Sequence, residues 1–190
     1  MNSRFFVVVL VQTLILLAMI GMRQWTLQTG IPVTLETQPI DPRSLFSGDY
    51  VRLSYKVSDL RLDELAGDRT FKRNDVIFVV LAPDGEFWKA VSVHRNHPRP
   101  GDGQAAIKGR VDYTGDTICD AARNKAVDVK HLRVKYGIED YFVQEGTGRA
   151  LERPQQDEKV SIQVAVDRFG NAGIKAVVVN GRQKYVETLL

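Results

Sequence analysis

Side chains with metal-binding or nucleophilic chemistry are sparse in this sequence. His94 and His97 lie three residues apart and offer two imidazoles, while the one cysteine, Cys119, can form neither an internal disulfide nor a cysteine-based zinc site. Gly146 and Gly148 form a glycine pair but lack the third glycine and the strand-turn-helix pattern of a dinucleotide site. The sequence therefore predicts no metal and no cofactor, and we expect the two histidines to be solvated loop residues.

Length and composition limit the class of protein to which this chain can belong. The chain has 190 residues, of which 44% are hydrophobic and 26% charged, which is typical of one folded domain and not of a disordered chain. Its 26 Lys+Arg and 23 Asp+Glu give a net charge of +3. Because both signs are scattered along the chain, no basic face for nucleic acid is predicted.

The amino-terminal segment predicts a membrane helix. Residues 5–22 read FFVVVLVQTLILLAMIGM, an uncharged run bounded by Arg4 and Arg23. As a helix it would be about 27 Å long, close to the roughly 30 Å of a bilayer core. We expect an uncleaved anchor; a cleaved signal sequence is the alternative, although no small-residue cleavage site follows the run. The positive charges nearly balance across it, and we expect a cytoplasmic tail and an exported domain.

Most of the remaining chain shows strand signals, and we expect antiparallel sheets arranged as a sandwich or barrel. Turn sequences separate several apolar or alternating runs, and Asn180-Gly181 is typical of a two-residue hairpin. One hairpin is expected around Pro83-Asp84-Gly85. The predicted strands include residues 33–37, 51–57, 76–81, 87–93, 105–113, 160–166, 174–179 and 182–186.

Two or three short helices are expected beside these sheets. The candidates are residues 59–65, 139–143 and 147–153, the last ending before Pro154. Residues 114–130 lack a clear period and predict an irregular excursion. The domain boundaries expected from these patterns are 1–22 for the tail and anchor, 23–30 for a juxtamembrane linker, and 31–190 for an exported β-rich domain.

Two sequence blocks resemble a known family. Residues 48–55 read GDYVRLSY and follow IDPRSLF at 40–46, while residues 136–143 read YGIEDYFV. Together with weaker matches at 88–93 and 109–111, they resemble the GDYXXLXY family of membrane-anchored bacterial proteins. The resemblance implies a single span in the bacterial inner membrane and a domain on the periplasmic or extracellular side. It also implies association with a multi-pass membrane protein, and it carries no reaction.

The first block also has a physical interpretation. Gly48 permits a turn with positive φ, and Asp49 can accept hydrogen bonds from nearby amides. In a strand, Leu53 and Tyr55 share one face while Tyr50 lies on the other. We expect Leu53 in the core and the tyrosines half-buried with hydroxyl partners; a ligand or partner site that uses Asp49 and Tyr50 is the alternative.

A fainter resemblance concerns the β core of type I signal peptidases, at residues 45–49, 72–78 and 88–91. It implies that Lys89 occupies the place of their lysine base. Ile40 stands where their nucleophilic serine is found, and the serines nearest in sequence are Ser44, Ser47 and Ser92. We therefore expect at most a shared architecture without the Ser–Lys chemistry.

The function expected from the sequence is that of an anchored accessory or binding domain rather than an enzyme. A Ser–Lys hydrolase and an envelope carrier of a small ligand are the alternatives. The residues expected to form the site are Gly48, Asp49, Tyr50, Leu53, Tyr55, Lys89, Tyr136, Gly137 and Tyr141.

Overall fold

A computed structural model describes residues 3–38, 50–115, 131–142, 160–179 and 182–186. One long helix comes first, followed by strands and a short 3₁₀ turn at Lys56–Ser58. The elements are α1 (Ser3–Thr29), β1 (Ile31–Gln38), β2 (Tyr50–Arg52), β3 (Ser54–Tyr55), β4 (Asp59–Arg61), β5 (Ala66–Gly67), β6 (Val76–Asp84), β7 (Phe87–His94), β8 (Ala105–Gly115), β9 (His131–Lys135), β10 (Asp140–Phe142), β11 (Val160–Val166), β12 (Ala172–Val179) and β13 (Arg182–Val186).

Helix α1 has two environments along its length. Residues 4–22 are exposed, and the helix is long and apolar enough to cross a membrane. Residues 23–29, which were expected to be a linker, continue the same helix and pack on β11 and β12. The helix ends at Gly30, whose amide donates to the carbonyl of Thr26 at 3.0 Å. A Cβ at Gly30 would lie 2.9 Å from the amide nitrogen of Val166, so the chain can turn this closely only with glycine there.

The first sheet has the strand order β13-β12-β11-β1-β3 and is antiparallel throughout. Its central strand β11 is buried at six of its seven positions. A strand with one solvated face would alternate, whereas β11 carries α1 on one face and the second sheet on the other. The expected strand 160–166 has the same bounds as β11, and Asn180-Gly181 falls between β12 and β13 but outside the described residues.

The second sheet has the order β4-β9-β8-β6-β7-β5, and one of the two sheets forms a half-barrel. The β6–β7 hairpin predicted from Pro83-Asp84-Gly85 is present, and its two-residue turn is formed by Gly85 and Glu86. Among the described strands, the two-residue β5 alone pairs in parallel, with β7.

One core joins the two sheets. Leu35 and Ile162 from the first sheet are fully buried in the same cluster as Ile107 and Leu132 from the second. The fold class expected from the sequence is thus confirmed, since a mostly β domain follows one long apolar helix.

The predictions of short helices at residues 59–65 and 139–143 are wrong. Residues 59–65 contain strand β4 and a turn, and the buried Leu60 and Leu62 are two residues apart, which is a strand period. Residues 140–142 form β10, because Asp140, Tyr141 and Phe142 pair with β2. The third candidate, 147–153, and residues 116–130 of the expected irregular segment lie outside the described residues, while 114 and 115 still belong to β8.

Gly109 makes space for the contact between β8 and Tyr136. It is buried in β8, and a Cβ there would overlap the Cγ1 atom of Val134 and come within 3.0 Å of the Tyr136 ring. Both neighbours are themselves buried, so neither can move away freely.

We therefore expect Gly109→Ala to lower the free energy of unfolding by about 1–3 kcal/mol, the usual cost of overpacking a core. The measurement is thermal unfolding of the detergent-solubilised full chain. Gly101→Ala is the matched control, because its added Cβ would meet only the flexible end of Gln104, at 3.3 Å. Equal melting temperatures for the two variants would contradict this account of the packing.

Candidate functional site

The two blocks that suggested a site lie side by side in the structure. Tyr50 of β2 pairs with Phe142, and Tyr141 of β10 pairs with Val51, so the strands bring the blocks into one antiparallel ribbon. Gly48 and Asp49 lie outside the described residues, and for Tyr50 and Tyr141 the structure describes the backbone alone. Their part in binding stays a prediction.

Next in sequence to this ribbon, one tyrosine from each block donates a hydrogen bond to the backbone in or just after the other block. The Tyr55 hydroxyl donates to the Ile138 carbonyl at 2.5 Å, and the Tyr136 hydroxyl donates to the Val57 carbonyl at 2.5 Å. Both rings are buried. We call these two reciprocal bonds the tyrosine clamp. Leu53 adds a third link, since its amide donates to the Glu139 carbonyl at 2.6 Å.

Glu139 holds the turn that presents the clamp. Its carboxylate accepts hydrogen bonds from the amides of Tyr136, at 2.5 Å, and Gly137, at 2.9 Å. Gly137 has φ of +78°, a conformation that favours glycine. Sequence reasoning missed this role of Glu139, although a glutamate two residues after a glycine in the second block offered a signal for a closed turn.

Burial determines the protonation state of the two phenols in the clamp. It raises the pKa of the phenols of Tyr55 and Tyr136 far above the ordinary value for tyrosine, and the negative charge of Glu139 raises it further. Both groups are therefore neutral hydrogen-bond donors at any physiological pH. Leu53 lies in the core as expected. Tyr55 was expected to be half-buried and is fully buried, because the Ile138 carbonyl satisfies its hydroxyl inside the domain.

An open cleft of about 380 Å³ adjoins the clamp. Val57, whose carbonyl receives the Tyr136 hydroxyl, forms part of its wall. We call it the β4–β7 cleft, because residues of β4 and of the start of β7 line it. Its apolar lining residues are Val57, Leu60, Leu65, Phe87, Trp88 and Ala90, and its charged lining residues are Glu36, Lys56, Asp59, Arg61, Glu64, Asp84 and Lys89.

Several of the charged lining residues form ion pairs. Lys56 lies 2.6 Å from Glu36 of β1, and Arg61 lies 2.9 Å from Glu64. Oppositely charged groups thus line the cleft without a large excess of either sign, around an apolar floor. Such a surface suits a partner that brings both apolar and polar groups.

Lys89 lies at this cleft, away from the clamp. Its ammonium group is 3.3 Å from the carboxylate of Asp84, and its side chain is 59% exposed. A lysine that activates a serine must lose its proton in a desolvated site. Ser92 instead shares a 2.9 Å hydrogen bond with His94, while Ser44 and Ser47 lie outside the described residues. Nothing described around Lys89 fits the chemistry of a general base.

The histidines take separate positions. His94 ends β7 beside Ser92 and is half-buried, so it is not a loop residue as expected, whereas His97 lies edge-on against the ring of Phe78. Within the described ranges, no group of three His, Cys, Asp or Glu residues could hold a metal ion.

A second cluster of polar contacts fastens α1 to the domain. The Thr26 hydroxyl donates to Asp167 Oδ2 at 2.8 Å, and Arg23 Nη1 donates to the Ala172 carbonyl at 3.0 Å. Gly173 permits close packing here, because a Cβ there would lie 2.8 Å from the Leu27 side chain. We call these contacts the helix–domain junction.

Asp167 is the centre of that junction. Its carboxylate also accepts hydrogen bonds from the Phe169 amide and from the amide and side chain of Asn171, each at 2.9–3.0 Å. Sequence reasoning missed it, although an aspartate three residues before Gly170 is typical of a type I turn. Burial acts to raise the pKa of Asp167, but the hydrogen bonds from Asn171, Thr26 and the Phe169 amide outweigh it, so the pKa is lowered.

A lowered folded-state pKa makes the junction sensitive to acid. The stabilisation from Asp167 is fully present above its ordinary pKa of 3.8 and is lost as the pH falls through the lower, folded value. We expect Asp167→Asn to lower the melting temperature of the full chain at pH 7, and the difference from the native chain to shrink below pH 3.8. Asp102→Asn, in an exposed turn, is the control. A difference that stays constant with pH would argue against an ionised Asp167 in the junction.

The tyrosine clamp predicts a structural cost for losing either hydroxyl. Tyr55→Phe and Tyr136→Phe each leave a buried carbonyl without its donor, and we expect each to lower the free energy of unfolding by about 1–3 kcal/mol. Thermal unfolding of the detergent-solubilised chain tests this. Tyr113→Phe is the control, because Tyr113 is 63% exposed and its change should stay within about 0.5 kcal/mol. Native melting temperatures for both clamp variants would refute the clamp.

Comparison with known proteins adds a family and no further relatives. No curated protein and no solved structure matches the chain. The family model described as GDYXXLXY protein matches residues 12–177, which includes the second half of the apolar run and both blocks of the clamp. This range covers most of the chain, which therefore belongs to the GDYXXLXY family.

Proposed function

We propose that this protein is an uncleaved, single-pass membrane protein whose exported β domain serves as an accessory or binding module beside a multi-pass membrane protein. The observation that carries this proposal is the continuity of α1. One helix contains both the exposed apolar run and the residues of the helix–domain junction. A domain attached in this way is held close to the membrane at a defined distance.

The physical advantage of such an arrangement is placement. A tether this short confines the domain near any partner in the same membrane and raises their effective concentration, to roughly the mM range for short linkers. Modest contacts are then sufficient for a stable association. The β4–β7 cleft offers such contacts, with Lys89 exposed at its edge and the half-buried Trp88 beside it.

The clamp supports the cleft rather than forming a surface itself. Tyr55 and Tyr136 are buried, so a partner cannot reach their hydroxyl groups without unfolding the domain. Among the expected site residues with described surroundings, Lys89 and Gly137 are exposed. We therefore propose Lys89 as the first residue to test for partner contact, together with Asp49 and Tyr50, whose role rests on the family resemblance.

The two alternative functions need features that the described residues do not supply. A Ser–Lys hydrolase needs a desolvated lysine near a serine, and Lys89 is exposed and paired with Asp84. A carrier of a small apolar ligand needs an enclosed, mostly apolar cavity, and the β4–β7 cleft is open with charged groups along its walls.

Membrane extraction and crosslinking test the proposal together. The full chain, expressed at native level, should resist carbonate extraction and migrate at its uncleaved mass of 21.4 kDa. Protease added from the exported side should digest the domain. Crosslinking in native membranes should then recover a multi-pass protein with the native chain, and Lys89→Glu should reduce that recovery several-fold.

Two variants control this experiment. Lys72→Glu makes the same charge reversal at an exposed site before β6, outside the cleft lining, and should leave recovery unchanged. The Asp49→Ala, Tyr50→Ala double variant tests the family motif directly. A smaller, extractable product would show a cleaved signal sequence, and an anchored chain that captures no membrane protein would overturn the accessory function.

A further inference from the structure

The turn between β11 and β12 is the loop that the structure fixes to the anchor helix. Asp167 binds the Thr26 hydroxyl with one carboxylate oxygen and the amides of Phe169 and Asn171 with the other. The Gly170 carbonyl accepts from the Lys108 amide at 2.8 Å, which holds the turn from the opposite side. The position of this turn relative to α1 is therefore set by hydrogen bonds on both sides.

The length of the helix gives the depth of that turn, provided that α1 is the membrane anchor proposed above. Thr26 lies four residues beyond Met22, the last apolar residue of the run, which is about 6 Å along a helix. Each headgroup layer is roughly 5–7 Å thick, since bilayers measure about 40–45 Å overall around a core of about 30 Å. Thr26, and with it the Asp167 turn, falls within or at the edge of the headgroup layer.

The side chains at the tip of this turn suit that layer. Phe169 is 59% exposed, and the Arg168 guanidinium lies over its ring, 4.7 Å from the ring centre. On the helix at the same depth, Trp25 is 64% exposed. Aromatic rings are enriched at the membrane–water interface, and arginine there can place its charge among phosphates while its stem stays in apolar surroundings.

We propose that Arg168 and Phe169 form a second membrane contact, in which the Phe169 ring enters the interfacial layer and Arg168 binds the phosphate groups of anionic lipids. The exposed ring is then covered by lipid, and the cation over it has a counter-ion. The helix and the turn together would hold the domain against the bilayer at two points instead of one.

Spin labels on the full chain in lipid nanodiscs test this contact. Cys119 is first replaced by Ser, and a nitroxide is placed at Phe169→Cys or, as the matched control, at Tyr113→Cys. Tyr113 is similarly exposed at 63% but lies toward the far end of β8 from the residues that hold the turn. The measured quantity is the ratio of collision rates with oxygen, which concentrates in the bilayer, and with a water-soluble nickel complex.

We expect this ratio to be several-fold higher at position 169 than at position 113 in nanodiscs that contain phosphatidylglycerol. Arg168→Gln should reduce the ratio at position 169, and so should replacing phosphatidylglycerol with phosphatidylcholine. Equal ratios at the two positions in a chain that resists carbonate extraction would overturn the contact while leaving the anchor intact. A chain that is extracted by carbonate would overturn both, because the depth of the turn depends on the anchor.

Discussion

Two buried tyrosine hydroxyl groups connect the two family sequence blocks, which lie far apart along the chain. Tyr55 donates to the Ile138 carbonyl in the second block, and Tyr136 donates to the Val57 carbonyl two residues after the first block. Without these hydroxyl groups, the carbonyls of Val57 and Ile138 would be buried without a hydrogen-bond donor, because neither residue belongs to a described strand. The 3₁₀ turn at Lys56–Ser58 is thereby fixed on the core, and the wall of the β4–β7 cleft begins at the same turn.

The structure thus explains the leucine and the last tyrosine of the GDYXXLXY motif. Leu53 fills the core and links to Glu139 through its amide, and Tyr55 supplies half of the clamp. The sequence predicts that Leu53 and Tyr55 share one face, because they are two residues apart in an alternating pattern. It could not identify the carbonyl partners, since the bonded residues are 83 and 79 positions apart. The period within one strand carries no information on which distant segment packs against it.

Most strands could be predicted because their burial follows from local pattern. Residues 160–166 and the hairpin after 76–81 have the period and turn residues that strands require. The errors came where composition and environment disagree. Leucine and acidic residues at 59–65 favour a helix, yet Leu60 pairs in β4 with Leu132, and Asp140–Phe142 becomes a strand because β2 lies beside it.

The candidate site was harder to predict than the fold. Lys89 lies on a strand as predicted, and its partner Asp84 is a local neighbour across the same β6–β7 hairpin. The cleft beside it also takes lining residues from β1, the 3₁₀ turn and β4, which no local pattern brings together. Asp167 and Thr26 carry no unusual sequence signal individually, and their contact joins residues 141 positions apart. Contacts of that kind depend on topology, and the hydrophobic period of a single strand does not predict which elements meet.

The junction between α1 and the first sheet has a mechanical consequence. No glycine, proline or loop interrupts the helix between Met22 and the contacts of Arg23 and Thr26 with the domain. Membrane helices respond to bilayer thickness by tilting. With α1 as the anchor proposed above, a helix that tilts in a thinner bilayer would turn the whole β domain with it. The direction in which the cleft faces would then depend on the thickness of the bilayer.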